Sequence, residues 1–264
     1  MASRAEGPGA PTPASAPTLA APAVTPAPAV PAPTTTAPPL GLGAVLRASL
    51  TDYYFSSMRL VPANVVWGAG VILLVVVGLA WPPGALLLLP LLAFPTAGVF
   101  RVAAGVVRAD PGSGLHDIAW PIRHDVAATL LLGAGFIVAG LILGTNLLVG
   151  LGQGEPLGWV LATLAGWGLV AVWCGAIVAW PLIVDPRRAT RPVRERLRLA
   201  GALLLVHPVR FGALGFVVAV IVVLSTILTA AILTVSVAFV AVVACRSVYP
   251  AADRLEMAQA GERR

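Results

Sequence analysis

Residues 211–245 read FGALGFVVAVIVVLSTILTAAILTVSVAFVAVVAC, 35 positions without one charged side chain. As a single helix this run extends roughly 52 Å at 1.5 Å per residue, too long for a hydrocarbon core of about 30 Å even when steeply tilted. Split near Ser225 to Thr229, it makes two crossings of roughly 17 residues each, at the lower end of the spanning range. No Gly or Pro marks the turn, so charge has to choose. All 17 basic residues are Arg, in four groups: three before residue 62, three from Arg101 to Arg123, seven from Arg187 to Arg210 and four from Arg246 onward. None falls in the turns around Pro82 and Glu155. Arginine near span ends stays on the cytoplasmic side, and moving one to mid-membrane costs roughly 2.5–3.5 kcal/mol. The four beyond residue 245 therefore call for two crossings after Arg210, at about 211–227 and 230–246.

Working outward, the other apolar runs give spans at about 62–81, 84–108, 126–151 and 157–184. The expected fold is an all-α polytopic membrane bundle of about six transmembrane helices, with both termini in the cytoplasm. Composition agrees: 58% of residues are hydrophobic and 11% charged, whereas a soluble domain keeps roughly a quarter charged. A bilayer demands that backbone polar groups be satisfied internally, and long continuous apolar runs satisfy them as helices, not as a barrel of alternating strands. Pro90 and Pro95 predict kinks in the second span. Arg101 lies near its inner end, where its side chain can snorkel to the headgroups.

Two amphipathic helices are expected along the interface. In the first, Leu46, Leu50, Tyr53, Tyr54 and Met58 share a face. In the second, between Pro192 and Pro208, Val193, Leu197, Ala200, Leu203 and Leu204 do so. Residues 1–40 hold 11 of the 24 prolines with 12 alanines and 6 threonines, and read as a disordered cytoplasmic tail without a signal-peptide core. The helical membrane domain then covers 41–252, and 253–264 reads as a short charged cytoplasmic tail.

The net charge of +6 marks orientation in the membrane, not nucleic-acid binding, because no aromatic residues interleave the Arg on a soluble face. Cys174 and Cys245 are the only cysteines, too few for a disulfide framework or a structural zinc site. The pairs His116–Asp117 and His124–Asp125 are interrupted by Pro121 and read as a capped loop, not a metal site. Gly150, Gly152 and Gly154 follow no strand and lack the Lys of a phosphate loop. Neither a GxSxG elbow nor an HExxH helix occurs, so no enzyme, metal or cofactor is expected.

What remains is polar surface and polar membrane positions. Arg187, Arg188, Arg191, Arg194, Arg196 and Arg198 form a cluster expected to fix topology and to face anionic lipid headgroups or an acidic partner. Asn64, Thr145, Asn146, Ser225, Thr226 and Thr229, with Thr234 and Ser236, are the hydroxyl and amide groups within or near spans. They read as glue between helices, or as the lining of a path for a neutral solute. Gly140 with Gly144, and Ala171 with Gly175, have the small-xxx-small spacing of close helix packing. No ionisable residue lies at the centre of a span, which argues against a proton-coupled carrier.

Four places resemble a known family. Asn64 opens the first span; Pro95, Thr96, Ala97 and Gly98, then Arg101, fall late in the second. Arg123, His124 and Asp125 lead into the third, and Pro181 to Asp185 end the fourth before an Arg-rich helix and His207, Pro208. From about Leu46 to Arg254 the chain thus resembles the YesL-like family of uncharacterised multi-pass bacterial membrane proteins. That resemblance implies a bacterial cytoplasmic membrane and an accessory or regulatory role beside an ABC-type transporter. The proline-rich tail and the Asp110 to Gly114 turn depart from the family's pattern.

Overall fold

The computed structural model describes residues 41–227 and 235–262. The predicted tail, Thr229, Thr234 and much of the expected final turn lie outside the described residues. Within them every regular element is helical. In chain order these are α1 Leu42–Phe55, α2 Ser57–Ala80, α3 Pro82–Leu88, α4 Ala93–Val107, α5 Trp120–His124, α6 Val126–Gln153, α7 Pro156–Val184, α8 Val193–Val206, α9 Pro208–Ile227 and α10 Val237–Glu262. Short 3-10 turns occupy Leu89–Leu92, Leu115–Ala119 and Pro186–Arg188.

Five helical stretches are long and apolar enough to cross a membrane: Ser57–Ala80, Pro82–Val107, Val126–Gln153, Pro156–Val184 and Pro208–Thr226. Their outward faces are apolar, with Leu79, Leu131, Leu148, Trp167 and Phe216 all exposed. A water-soluble bundle would turn polar side chains there, so these helices point to a membrane location.

The second stretch is broken, not merely kinked. Pro90 cannot donate a backbone hydrogen bond and its ring crowds the preceding turn, and Leu89–Leu92 tightens into 3-10 geometry. Pro95 sits at the third position of α4, where a helix lacks an intrahelical partner for its N–H in any case. The turn between α6 and α7 is closed by Gly154 at φ 68°, a left-handed conformation that favours Gly. Beside it the backbones nearly touch. A Cβ on Gly150 would lie 2.5 Å from the Gly158 carbonyl oxygen and 2.8 Å from the Ala162 nitrogen. The Gly-rich stretch thus serves a hairpin.

Other small residues do less than their spacing promised. Gly140 and Gly144 have open space where a side chain would stand, whereas Gly175 packs against Phe136. Spacing locates a face but not whether a neighbour fills it.

α10 is the axis of the bundle. Ala238, Ala241–Cys245, Val248, Tyr249, Ala251 and Ala252 are buried, and the helix packs against α1, α2, α4, α7, α8 and α9. Small and β-branched side chains let the helices approach closely, notably Ala97, Val99, Ala103 and Ala104 on α4. The expected short charged tail beyond residue 252 is instead the last part of this helix, which runs to Glu262.

Helix directions follow from single contacts. Tyr249 Oη donates to the Pro181 carbonyl at 3.1 Å, so α10 enters the end of the bundle at which α7 stops. Arg210 Nη2 reaches the Ser247 carbonyl at 3.4 Å, and Trp173 Nε1, eleven residues short of the α7 terminus, donates to the Gly215 carbonyl at 3.0 Å. α9 therefore leaves the end that α10 enters.

The two amphipathic faces behave differently. On α8, Ala200 and Leu203 are buried while Val193, Leu197 and Leu204 pack against the core, so the predicted stripe is real and faces the bundle. On α1, Leu46 and Tyr53 pack inward beside Val45, but Leu50, Tyr54 and Met58 are exposed. Ser56 interrupts the helix, and α2 begins at Ser57, so Met58 belongs to another element and the single stripe does not exist.

Candidate functional site

The last turn of α7 needs partners, because the final carbonyls of a helix have none within it and carry partial negative charge. Side chains from three other elements supply them. Tyr249 of α10 donates to the Pro181 carbonyl, Arg196 Nη1 of α8 to that of Ile183, and Arg101 Nη1 of α4 to that of Val184 at 2.8 Å. Arg101 also lies over the Trp120 ring at 4.5 Å and 3.7 Å from Asp117. It is thus turned into the protein and does not snorkel to the headgroups. Arg196 Nη2 donates to Asp125 at 3.1 Å, tying α8 to the start of α6.

Asp185 follows directly and is fully buried. Its Oδ1 accepts from the Arg187 N–H at 3.1 Å, which shapes the 3-10 turn that Pro186 begins. Its Oδ2 accepts from Arg108 Nη2 at 2.8 Å and from Arg188 Nη1. Arg108 Nη1 also donates to Asp253 Oδ2 at 2.8 Å, and its guanidinium lies 4.3 Å from the centre of the Tyr249 ring. Arg188 Nη2 reaches Asp253 Oδ1 at 2.5 Å and its Nε reaches Glu256 Oε1 at 3.0 Å. Arg191 Nη1 closes the chain on Glu256 at 2.7 Å. Three guanidiniums, Arg108, Arg188 and Arg191, thus face three carboxylates, Asp185, Asp253 and Glu256.

The charges balance, so the cluster holds α4, α7, the α7–α8 link and α10 together without a surplus for a ligand. Burial works against the charge on Asp253, but hydrogen bonds from Arg108 and Arg188 outweigh it and hold its carboxyl below the usual carboxylate range. Burial likewise opposes the charge on Arg108, and its bonds to Asp253 and Asp185 more than restore it, raising its pKa. For Arg188 the same contest, won by bonds to Glu256 and Asp253, again raises the pKa. Groups locked in the ionised form are clasps, not proton donors. A second clasp joins α1 to α10, with Arg246 Nε donating to Asp52 Oδ2 at 2.7 Å.

The six Arg singled out in the sequence therefore divide. Arg188 and Arg196 are buried in ion pairs, while Arg187, Arg191, Arg194 and Arg198 are exposed. Between α8 and the end of α10 lies an open groove of about 520 Å³, lined by Arg191, Glu195, Arg198, Leu199, Glu256 and Gln259 among others.

The polar membrane positions are not brought together. Asn64 is buried and its Oδ1 accepts from the Ala238 N–H at 2.9 Å, in the first turn of α10. Thr145 is exposed and Asn146 half-buried on α6. Ser225 is half-buried on α9, and Thr226 donates to the Val222 carbonyl at 2.8 Å. Ser236 is buried. His124 stacks on Trp120, Asp117 accepts from the Gly114 N–H and Asp125 is bound to Arg196. Among the described residues no group of His, Cys, Asp and Glu is placed to hold a metal.

Sequence reading missed Arg108, Asp185, Asp253 and Glu256 as a unit. One signal was available. Asp253 and Glu256 are spaced to share a helical face, and continuing the helix past Tyr249 would have aimed both at the Arg-rich segment. No family model, curated protein or solved structure matches the chain.

Proposed function

We propose that this chain is an accessory, scaffolding or regulatory component of a membrane transport or envelope complex, which it docks through its charged end. The observation that carries the reading is the division of the Arg-rich segment. A neutral, part-buried network holds α4, α7 and α10 together, and leaves Arg187, Arg194 and Arg198 projecting from a braced surface. Cations held on a rigid support suit an acidic protein face, because little ordering is lost on binding. The resemblance to the YesL-like family makes an ABC-type transporter the partner class to look for.

In this reading the membrane is the cytoplasmic membrane of a bacterium, and the charged end faces the cytoplasm under the positive-inside rule. α10, which re-enters the end that α9 leaves, is the inner part of a sixth crossing. α1 and α8 lie along the interface, and both termini are inside. Capture of the full chain from crosslinked membranes should recover one membrane partner, with R187Q/R194Q/R198Q lowering the yield at least about fivefold. Equal recovery by both chains, or none by either, refutes the docking role.

The broken second span favours one alternative, a small permease for a neutral solute. Backbone freed by Pro90 within the apolar layer is found in carriers that bind solute near mid-membrane. Liposomes holding only this protein would then pass sugars or small amphiphiles, and impermeability across such a panel removes the alternative.

A further inference from the structure

Arg187, Arg194 and Arg198 are not the only cations at the charged end without an ion pair among the described residues. Arg210, in the first turn of α9, has no carboxylate partner among the described residues. One of its five N–H donors makes the long bond to the Ser247 carbonyl. Arg254 stands two turns beyond Ser247 on the same face of α10; its own Nε donates to the Pro250 carbonyl at 3.0 Å and it too has no ion pair among the described residues. The carboxylates of α1 and α10 nearby are already committed: Asp52 to Arg246, Asp253 to Arg108 and Arg188, Glu256 to Arg188 and Arg191.

Arg210 lines a cavity of about 330 Å³ between α1 and α9, together with Leu42, Val45, His207, Leu214 and Ser247. Besides Arg210, His207 and Ser247 the lining is apolar. The positive end of the 20-residue helix α9 opens beside it. Just outside, Leu205, Val206 and Val209 are exposed apolar side chains, as residues in contact with acyl chains are.

We infer that the cavity between α1 and α9 binds the phosphate of an anionic phospholipid, held by Arg210 with Arg254 beside it, while the acyl chains run along the exposed apolar side of α9. A planar guanidinium with free donors matches phosphate oxygens in a forked geometry. A phosphate there takes the place of a carboxylate, which no described residue supplies. The apolar lining and the exposed Leu205, Val206 and Val209 favour a lipid over a soluble anion. The site is separate from the exposed Arg187–Arg198 surface, and it rests on the membrane location alone, not on the accessory role.

The test uses the full chain purified in detergent, titrated with phosphatidylglycerol, phosphatidylcholine or inorganic phosphate, with bound molecules counted by native mass spectrometry. Phosphatidylglycerol should bind at one site at least about tenfold more tightly than phosphatidylcholine, and inorganic phosphate should not displace it. R210Q should weaken this binding roughly tenfold, the worth of one charged hydrogen-bonded contact, R254Q should weaken it less, and R187Q should leave it unchanged. Wild-type binding by R210Q, an equal loss in R187Q, or displacement by inorganic phosphate overturns the site. If R210Q does not fold, R254Q and R210K carry the test, since R210K keeps the charge but loses the fork and should bind at an intermediate level. Phosphatidylcholine retained by every variant would show that the membrane reading survives even where the site fails.

Discussion

Replacing Asp185 by Ala should destabilise the protein more than any other single change at the charged end. Asp185 is fully buried and accepts from Arg108, Arg188 and the Arg187 backbone. Removing it leaves three guanidiniums against two carboxylates, with Arg188 only 3% exposed and Arg108 10% exposed. Breaking a buried pair by deleting one partner costs about 3–5 kcal/mol, because the other charge stays buried. At about 2–4 °C per kcal/mol for a chain of this size, the midpoint of thermal unfolding should fall by roughly 6–20 °C. Asp185→Asn keeps one oxygen to cap the Arg187 N–H but turns an amide NH2 donor toward Arg108 and Arg188 and leaves the same surplus of charge, so a loss close to that of Asp185→Ala is expected. Arg191→Gln, at a side chain 45% exposed, should cost no more than about 1 kcal/mol. The assay is tryptophan fluorescence of the full chain during heating in one fixed lipid–detergent mixture. If Asp185→Ala moves the midpoint no further than Arg191→Gln, the network does not hold the helix ends together and the argument for a braced surface fails.

Because the Asp253 pKa is lowered in the folded protein, its contribution to stability is complete above the unfolded value of about 3.9 and is lost as pH falls through the folded value. Unfolding midpoints measured from pH 6 down to pH 3 should therefore drop more steeply below about pH 4 in the wild type than in Asp253→Asn, and parallel curves would contradict the pairing. Asn64→Leu should cost about 1–3 kcal/mol by removing the acceptor for the Ala238 N–H, seen as a lower unfolding midpoint. Gly150→Ala should cost about 1–3 kcal/mol because its Cβ would meet backbone of α7. Gly140→Ala, with open space around it, should be neutral or slightly stabilising in the same measurement.

Much of the fold was legible one segment at a time. The α8 boundaries follow from Pro192 and Pro208, and the α6–α7 turn from Gly154, because these residues act on their own backbone. The role of α10 was not legible. Its apolar half reads like any lipid-facing span, and nothing local reveals that five other helices and α8 surround it. The α1 stripe misled for a related reason: periodicity finds residues on one face but assumes that the helix continues through Ser56.

The amino-acid sequence by itself determined that this chain is helical and belongs in an apolar solvent, since both follow from summed hydrophobicity and run length. It also determined that Arg gathers in alternate segments between the apolar runs and is absent from the others, which is a matter of counting. Only the tertiary structure decided that Arg188 and Arg196 turn inward while Arg187 and Arg198 face out, and that Arg210 has no carboxylate partner among the described residues. Those outcomes depend on helix rotation and on pairs separated by 77 and 145 residues, Arg108 with Asp185 and with Asp253. Local pattern carries no information about contacts at that separation, because they form only when the helix ends meet.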